Sequence, residues 1–281
     1  MRTMKTLNQK KYKKKNYTIP IIGFFLSAFA IFAFIPFVYM VMLSFTQSES
    51  LSFNWSDLTL DFSNYLYVLN QSGFLRALLN SIYVAFMTCL LNNIICTMAA
   101  YSFAKKEFTG RKFTYGIYIA TLAIPGQVTL IPLFTIMKEL SLLNTYTALI
   151  LPSINAFGVF LITQFMKDFP DELLEAGKID GAGELRTFLG IVVPLVKPVI
   201  ISLTVFTFIS SWNNFLWPLV AASSDETKTL TVALSILKGH YTTNYGLVMA
   251  GATLSFLFPF TLYVVLQKQF VEGIALSGIK G

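Results

Sequence analysis

Charge is what this sequence has least of. Only 12% of its 281 residues are Asp, Glu, Lys or Arg, against 55% hydrophobic, and the mean hydropathy is +0.64. Soluble domains carry roughly 25% charged residues. Half that density does not cover a water-facing surface of this size, so much of the surface faces lipid. Histidine occurs once, at His240, and cysteine twice, at Cys89 and Cys96. That leaves little for acid–base chemistry and too few ligands for a metal centre; neither metal nor cofactor is expected. The two cysteines fall on one helix face about 10 Å apart along the axis, too far for a disulfide, and read as packing residues. The motifs GxxxxGK[ST], HExxH and GxSxG are all missing, so nothing indicates a phosphate-binding loop, a zinc protease or a serine hydrolase. Gly181-Ala182-Gly183 begins like a dinucleotide loop, but Arg186 stands at the third glycine position and no strand precedes it. The apolar runs hold no Asp or Glu, which argues against an ion-coupled secondary transporter.

What is present is a succession of apolar runs. A bilayer core needs roughly 20 apolar residues as helix. Six runs qualify: 19–45, 75–104, 113–137, 146–166, 199–220 and 246–266. The third is interrupted by Pro125-Gly126 and Pro132, and the fourth holds Pro152. Prolines are tolerated in membrane helices where neighbours satisfy the freed backbone groups. In the first run an apolar stretch too long for a cleaved leader follows Ala28-Phe29-Ala30, so it reads as an uncleaved span. The expected organisation is a basic head over 1–18, a first membrane helix over 19–45, a polar extracytoplasmic loop over 46–74, a five-helix core over 75–266 containing a polar loop at 167–197, and a tail over 267–281. A second polar loop, 221–245, faces outward.

Six spans put both ends on one side. With the N-terminus in the cytoplasm, 17 of 21 Lys and Arg residues lie inside: 7 in the head, 4 at 105–112, 4 at 167–197 and 2 in the tail. Outside are Arg76, Lys138, Lys228 and Lys238. The positive-inside rule selects this orientation. The fold class is therefore an all-α membrane protein of six transmembrane helices with cytoplasmic termini. The net charge of +7 reflects that asymmetry and the membrane lipid beside it, not nucleic acid.

The interval 169–198 is the longest polar stretch between two apolar runs that still reads as helix. Asp168 suits an N-cap, Pro170 a first turn, and Asp171 and Glu172 the positive helix end. A short helix running to about Asp180 is expected. Gly181 then permits a sharp bend, and a second short helix carries Ala182, Leu185, Phe188 and Leu189 on one face. A helix that binds lipid headgroups is rich in Lys and Arg. Here acids outnumber bases, so the expectation is a dock for a protein.

Glu175-Ala176-Gly177, Asp180-Gly181-Ala182, Ile191 and Pro194-Leu195 together resemble the EAA loop of type I ABC importer permeases. That pattern is Glu-Ala-Ala, a glycine four residues on, then Ile-x-Leu-Pro after nine more, and the spacing here matches. Gly177 replaces the second Ala and Val193 the Leu; a glycine there is expected to loosen the first helix by up to ~1 kcal/mol relative to Ala. The likeness extends over nearly the whole chain. Asn64-Tyr65 and 74–81 resemble the start of the shared permease core. The segment 212–218 (WNNFLWP) and the ending 269–281 are similar to the carbohydrate-uptake, maltose-type branch, in its smaller six-span subunit.

That resemblance implies the permease fold and a bacterial plasma-membrane location. It also implies partners of three kinds: a sister permease, two ATP-binding cassette subunits, and an extracytoplasmic binding protein that delivers a sugar. The chain itself would not be an enzyme, since ATP hydrolysis belongs to the partners. A non-sugar solute such as glycerol phosphate is the alternative cargo. Carried over by position, Glu172, Glu175, Ala176, Gly177, Asp180, Gly181, Ala182 and Pro194 would couple to the ATPase, with the tail contacting it too. Polar groups at membrane depth are costly and often functional. Asn92, Asn93, Gln127 and Gln164 read as hydrogen-bonding groups between helices. Asn155, Trp212, Asn213, Asn214 and Trp217 are the substrate-pathway candidates, because sugars are held by amides and aromatic faces.

Overall fold

The computed structural model describes residues 18–47, 61–70, 73–240 and 244–278. Residues 1–17, which hold most of the basic head, and residues 48–60, 71–72, 241–243 and 279–281 lie outside the described residues. Every regular element among the described residues is helical.

Helix α1 (Thr18–Ser44) is apolar all round, and α2 (Ser63–Asn70) follows it. The long central helix is α3 (Phe74–Lys105). Next come α4 (Arg111–Ala120), α5 (Gly126–Glu139), α6 (Tyr146–Ile150) and α7 (Ala156–Lys167). The polar interval forms α8 (Glu172–Ile179) and α9 (Glu184–Thr187), and α10 (Val193–Trp212) continues from it. The chain ends with α11 (Leu216–Ala221), α12 (Leu230–His240) and α13 (Tyr245–Gly278).

Four continuous runs are long and apolar enough to cross a membrane: Ile22–Ser44, Phe74–Lys105, Glu184–Trp212 and Tyr245–Val265. The other two expected spans are bent pairs. Arg111–Ala123 meets Gly126–Glu139 at 107°, and Tyr146–Ser153 meets Ala156–Lys167 at 40°. The sharper bend has a local cause. A proline ring disfavours helical backbone in the residue before it. Ile124, just ahead of Pro125, is accordingly extended at ψ 117°, and Pro125 itself sits at ψ 131°.

The core is built on α3, α7 and α10. Cys96, Ala100, Val159, Ile162, Met166, Val196 and Leu203 are buried together there. Small residues let membrane helices approach closely. At Gly158 an added Cβ would stand 2.7 Å from Cys96 Sγ and 2.9 Å from a Leu203 methyl, so α7 presses on both neighbours at this point. Polar bonds tie α3 to α10: Asn92 Nδ2 donates to Thr207 Oγ1 at 2.9 Å, and Asn93 Nδ2 to Thr204 Oγ1 at 2.7 Å. A second cluster joins α2, α3, α10, α12 and α13, with Trp212 stacked 4.9 Å from Phe258. Helix α1 is nearly all exposed and meets α13 near its C-terminal end, where Phe37 lies 4.8 Å from Phe256.

Several boundaries differ from the sequence reading. The fifth span begins earlier and ends at Trp212 rather than near 220; α11 follows after a break at 213–215. The loop 221–245 contains α12, whose Leu230 and Leu237 are buried. Helix α13 runs on through the expected tail to Gly278.

Candidate functional site

The first site is the polar hairpin. Asp168 closes α7 instead of opening α8, and α8 starts at Glu172. The turn after α8 is specified by backbone hydrogen bonds. Gly181 N–H donates to Lys178 O and Ala182 N–H to Gly177 O, both at 3.0 Å. That is the Schellman arrangement, which requires a left-handed residue after the cap. Gly181 supplies it at φ +73°. The second arm is not a separate short helix. It passes through a π-turn at Phe188–Val192 into α10, one run from Glu184 to Trp212. Pro194 lies where the π-turn passes into α10.

Gly177 is buried, and an added Cβ would meet Ile191 Cδ1 at 2.7 Å. The glycine that replaces the second Ala therefore makes room for Ile191 where the arms cross. Its expected effect, a looser first helix, is opposed by this packing. The apolar residues of the second arm divide. Phe188 turns inward onto Tyr101, ring centroids 5.5 Å apart. Leu185 and Leu189 stay exposed, as do Leu173 and Ile179 on α8. Glu172, Glu175, Ala176 and Asp180 are exposed beside them, and Ala182 is half-buried.

Two consecutive lysines at the end of α3 hold the hairpin by both arms. Lys105 Nζ donates to Phe169 O and to Asp171 Oδ1, each at 2.7 Å, and its side chain is only 6% exposed. Lys106 Nζ donates to Glu184 Oε2, which also accepts from Tyr101 OH at 3.3 Å. Burial pulls the Lys106 ammonium down, but hydrogen bonds and attraction from Glu184 and Tyr101 together outweigh it and raise the group above the ordinary lysine value. In sequence these lysines showed only as a basic turn. The signal for their role lies in acids 66 and 78 residues away.

The second site is a cleft of about 250 Å³ beside the middle of α3. It brings together Asn155, Asn214 and Trp217 from the predicted set. Asn155 caps α7, its Oδ1 accepting from Gly158 N–H at 3.4 Å. Trp217 donates its indole N–H to Ala148 O at 2.8 Å, so only its ring is left to form a wall. The structure does not bring Trp212 or Asn213 to this cleft. Trp212 is buried between Phe208 and Phe258, and Asn213 closes α10 as an exposed residue. Asn92, Asn93 and Gln164 make bonds between helices, Gln164 donating to Tyr115 OH at 3.0 Å. Sequence reading missed Thr88, Thr129, Ser153, Thr207, Ser210 and Ser211, which also line the cleft. Small hydroxyl residues are common in membrane helices, so their types alone gave no signal.

Comparison with known proteins agrees with this architecture. An arabinooligosaccharides transport system permease protein of Halalkalibacterium halodurans is 34% identical over 280 residues, covering 95% of this chain and 100% of that protein. The lactose transport system permease protein of Rhizobium radiobacter is 33% identical, covering 99% of this chain and 100% of that protein. A crystal structure of a bacterial ABC transporter involved in the import of the acidic polysaccharide alginate contains a chain that superimposes with a TM-score of 0.79 at 25% identity, covering 92% of this chain and 99% of that one. The model of the family described as the binding-protein-dependent transport system inner membrane component matches residues 92–275. The chain, with its bent hairpin between apolar helices, belongs to that family of membrane transport permeases.

Proposed function

We propose that this chain is the smaller permease subunit of an ATP-binding-cassette importer for a sugar or oligosaccharide. It crosses the membrane six times with both termini in the cytoplasm, each bent helix pair counting as one span; the distribution of Lys and Arg supports this topology. A sister permease completes the pathway, two ATP-binding cassette subunits hydrolyse ATP, and an extracytoplasmic binding protein delivers the sugar.

The observation that carries this reading is the hairpin. It is fixed to α3 by Lys105 and Lys106, yet Glu175, Ala176, Ile179, Leu185 and Leu189 are exposed on it. A stiff, anchored element with an uncovered mixed surface suits transmission of a partner's movement into α3 and α10. Glu172, Glu175 and Asp180 would meet basic groups of the ATPase, Gly181 sets the bend, and Pro194 starts the helix that the motion drives.

The test is uptake by the complete importer in proteoliposomes, with its binding protein and radiolabelled arabinotriose, maltotriose and lactose. Accumulation of at least one sugar should require both ATP and the binding protein. Accumulation that ignores ATP but collapses with a protonophore would sink the reading. Cysteine labelling at Lys112 and Asp225 tests topology: only Asp225→Cys should react with an impermeant reagent from outside.

A further inference from the structure

We infer that this chain carries its own substrate subsite, specific for an uncharged, multiply hydroxylated ligand, in the cleft beside Thr88. The inference rests on the importer reading above and adds the ligand class and the residues that select it.

The first support is where the chain breaks. Three interruptions of helix border this cleft: 124–125 before α5, 154–155 before α7, and 213–215 after α10. Asn155 and Asn214 lie in these interruptions and line the cleft, with Gly126, Pro152 and Ser153 on the helix ends beside them. Irregular backbone at membrane depth is tolerated where it is buried in protein or lines a watery cavity. Secondary transporters, a different class, likewise build substrate sites from discontinuous helices near the bilayer middle. Thr88 stands near the middle of the long helix α3, which places the cleft at that depth.

The second support is an unpaired group. Thr88 is fully buried, lines the cleft, and its Oγ1 has no hydrogen-bond partner. A buried hydroxyl left unpaired is costly, and a Val of nearly the same shape would fill the position without that cost. A ligand hydroxyl in the cleft would supply the missing partner. Nearby, α5 starts at Gly126 with no side-chain cap on its first N–H groups. These are donors for a ligand oxygen.

The third support is chemical selectivity. Eight of the thirteen lining residues are Ser, Thr or Asn, and none is charged. Hydroxyls and amides both donate and accept, as sugar hydroxyls do. Trp217 adds apolar ring surface to the wall. A carboxylate or phosphate would find no cation here, and burying an unpaired charge is strongly unfavourable. The cleft therefore favours neutral sugars over uronates or sugar phosphates.

The experiment uses the complete importer in nanodiscs, with ATP bound and binding protein present. Retention of tritiated arabinotriose, maltotriose and lactose is measured against size-matched trigalacturonate. The wild type should retain a neutral sugar at least about tenfold more tightly than trigalacturonate. Thr88→Val and Asn214→Ala should each weaken retention about tenfold, with Thr88→Ser close to wild type. Each variant complex should elute at the wild-type volume with the wild-type subunit stoichiometry, which shows that it folds and assembles. Unaltered retention in both variants would overturn the subsite and leave the sugar-importer reading standing. Tighter retention of trigalacturonate than of every neutral sugar would overturn the proposed selectivity, while ATP-dependent uptake separately decides the importer reading.

Discussion

The hairpin and the cleft are built on opposite principles. The hairpin is charged, exposed and nearly contiguous in sequence, and its shape comes from a Schellman turn at Gly181. The cleft is uncharged and half-enclosed. It is assembled from α3, α5, α10, α11 and the segments before α7 and after α10, with walls as distant in sequence as Thr88 and Trp217. Charge in water is cheap to display, so an exposed charged element can be written into one stretch. A polar site inside a membrane must be screened by several helices, so its residues come from far apart. The two should therefore fail in different ways.

The sharpest way to break this contrast is Gly181→Val. A β-branched residue at φ +73° costs about 1–2 kcal/mol or more, and the turn must open. Uptake is expected to fall more than about tenfold (~1.4 kcal/mol per tenfold) with reduced capture of the ATPase subunits, while sugar retention by assembled complexes stays normal. Normal uptake together with normal assembly would remove the hairpin from coupling. Lys105→Met should come next. It strips the Phe169 carbonyl and Asp171 of their buried donor, a loss on the order of 1–3 kcal/mol. ATP hydrolysis should then continue with uptake several-fold lower, and equal losses in both would mean simple misfolding.

Asn92→Leu probes the scaffold behind the cleft. Its bond to Thr207 joins α3 to α10, and interhelical bonds in membranes average about 0.6 kcal/mol. A modest drop in thermal stability in detergent is expected, with coupling intact. The smallest effect should come from Gly177→Ala. The new methyl meets chiefly the mobile end of Ile191, and the gain in helix propensity of up to ~1 kcal/mol opposes the crowding. Uptake should change less than about twofold, and adding Ile191→Val should remove whatever loss appears. A large defect that this second change does not relieve would show that the arms cross more rigidly than the contact suggests.

Legibility followed the same division. The hairpin was readable because its signals are local: acids at the start of α8, glycine at the bend and proline at the start of α10. Its anchors were not, since nothing near Lys105 and Lys106 in the sequence names Asp171 and Glu184 as their partners. The breaks at Pro125 and Pro152 were visible as prolines. Their angles, 107° and 40°, were not, because packing against neighbours sets how far a broken helix turns. Trp212 and Trp217 looked equivalent beside Asn213 and Asn214. The break at 213–215 separates them, sending one ring into the α13 stack and the other to the cleft wall.

The sequence by itself determined the class of the molecule. Low charge and apolar runs of bilayer length force helices into lipid, the Lys and Arg distribution argues for one orientation, and the spacing from Glu175 to Pro194 marks the hairpin. Only the tertiary structure decided which polar residues meet. Ser, Thr and Asn in a membrane helix can bond to their own backbone, to a neighbouring helix or to a ligand, and the sequence is the same in each case. Helix packing separates these outcomes: it gives Asn92 and Asn93 to α10, and leaves Thr88 unpaired at the cleft.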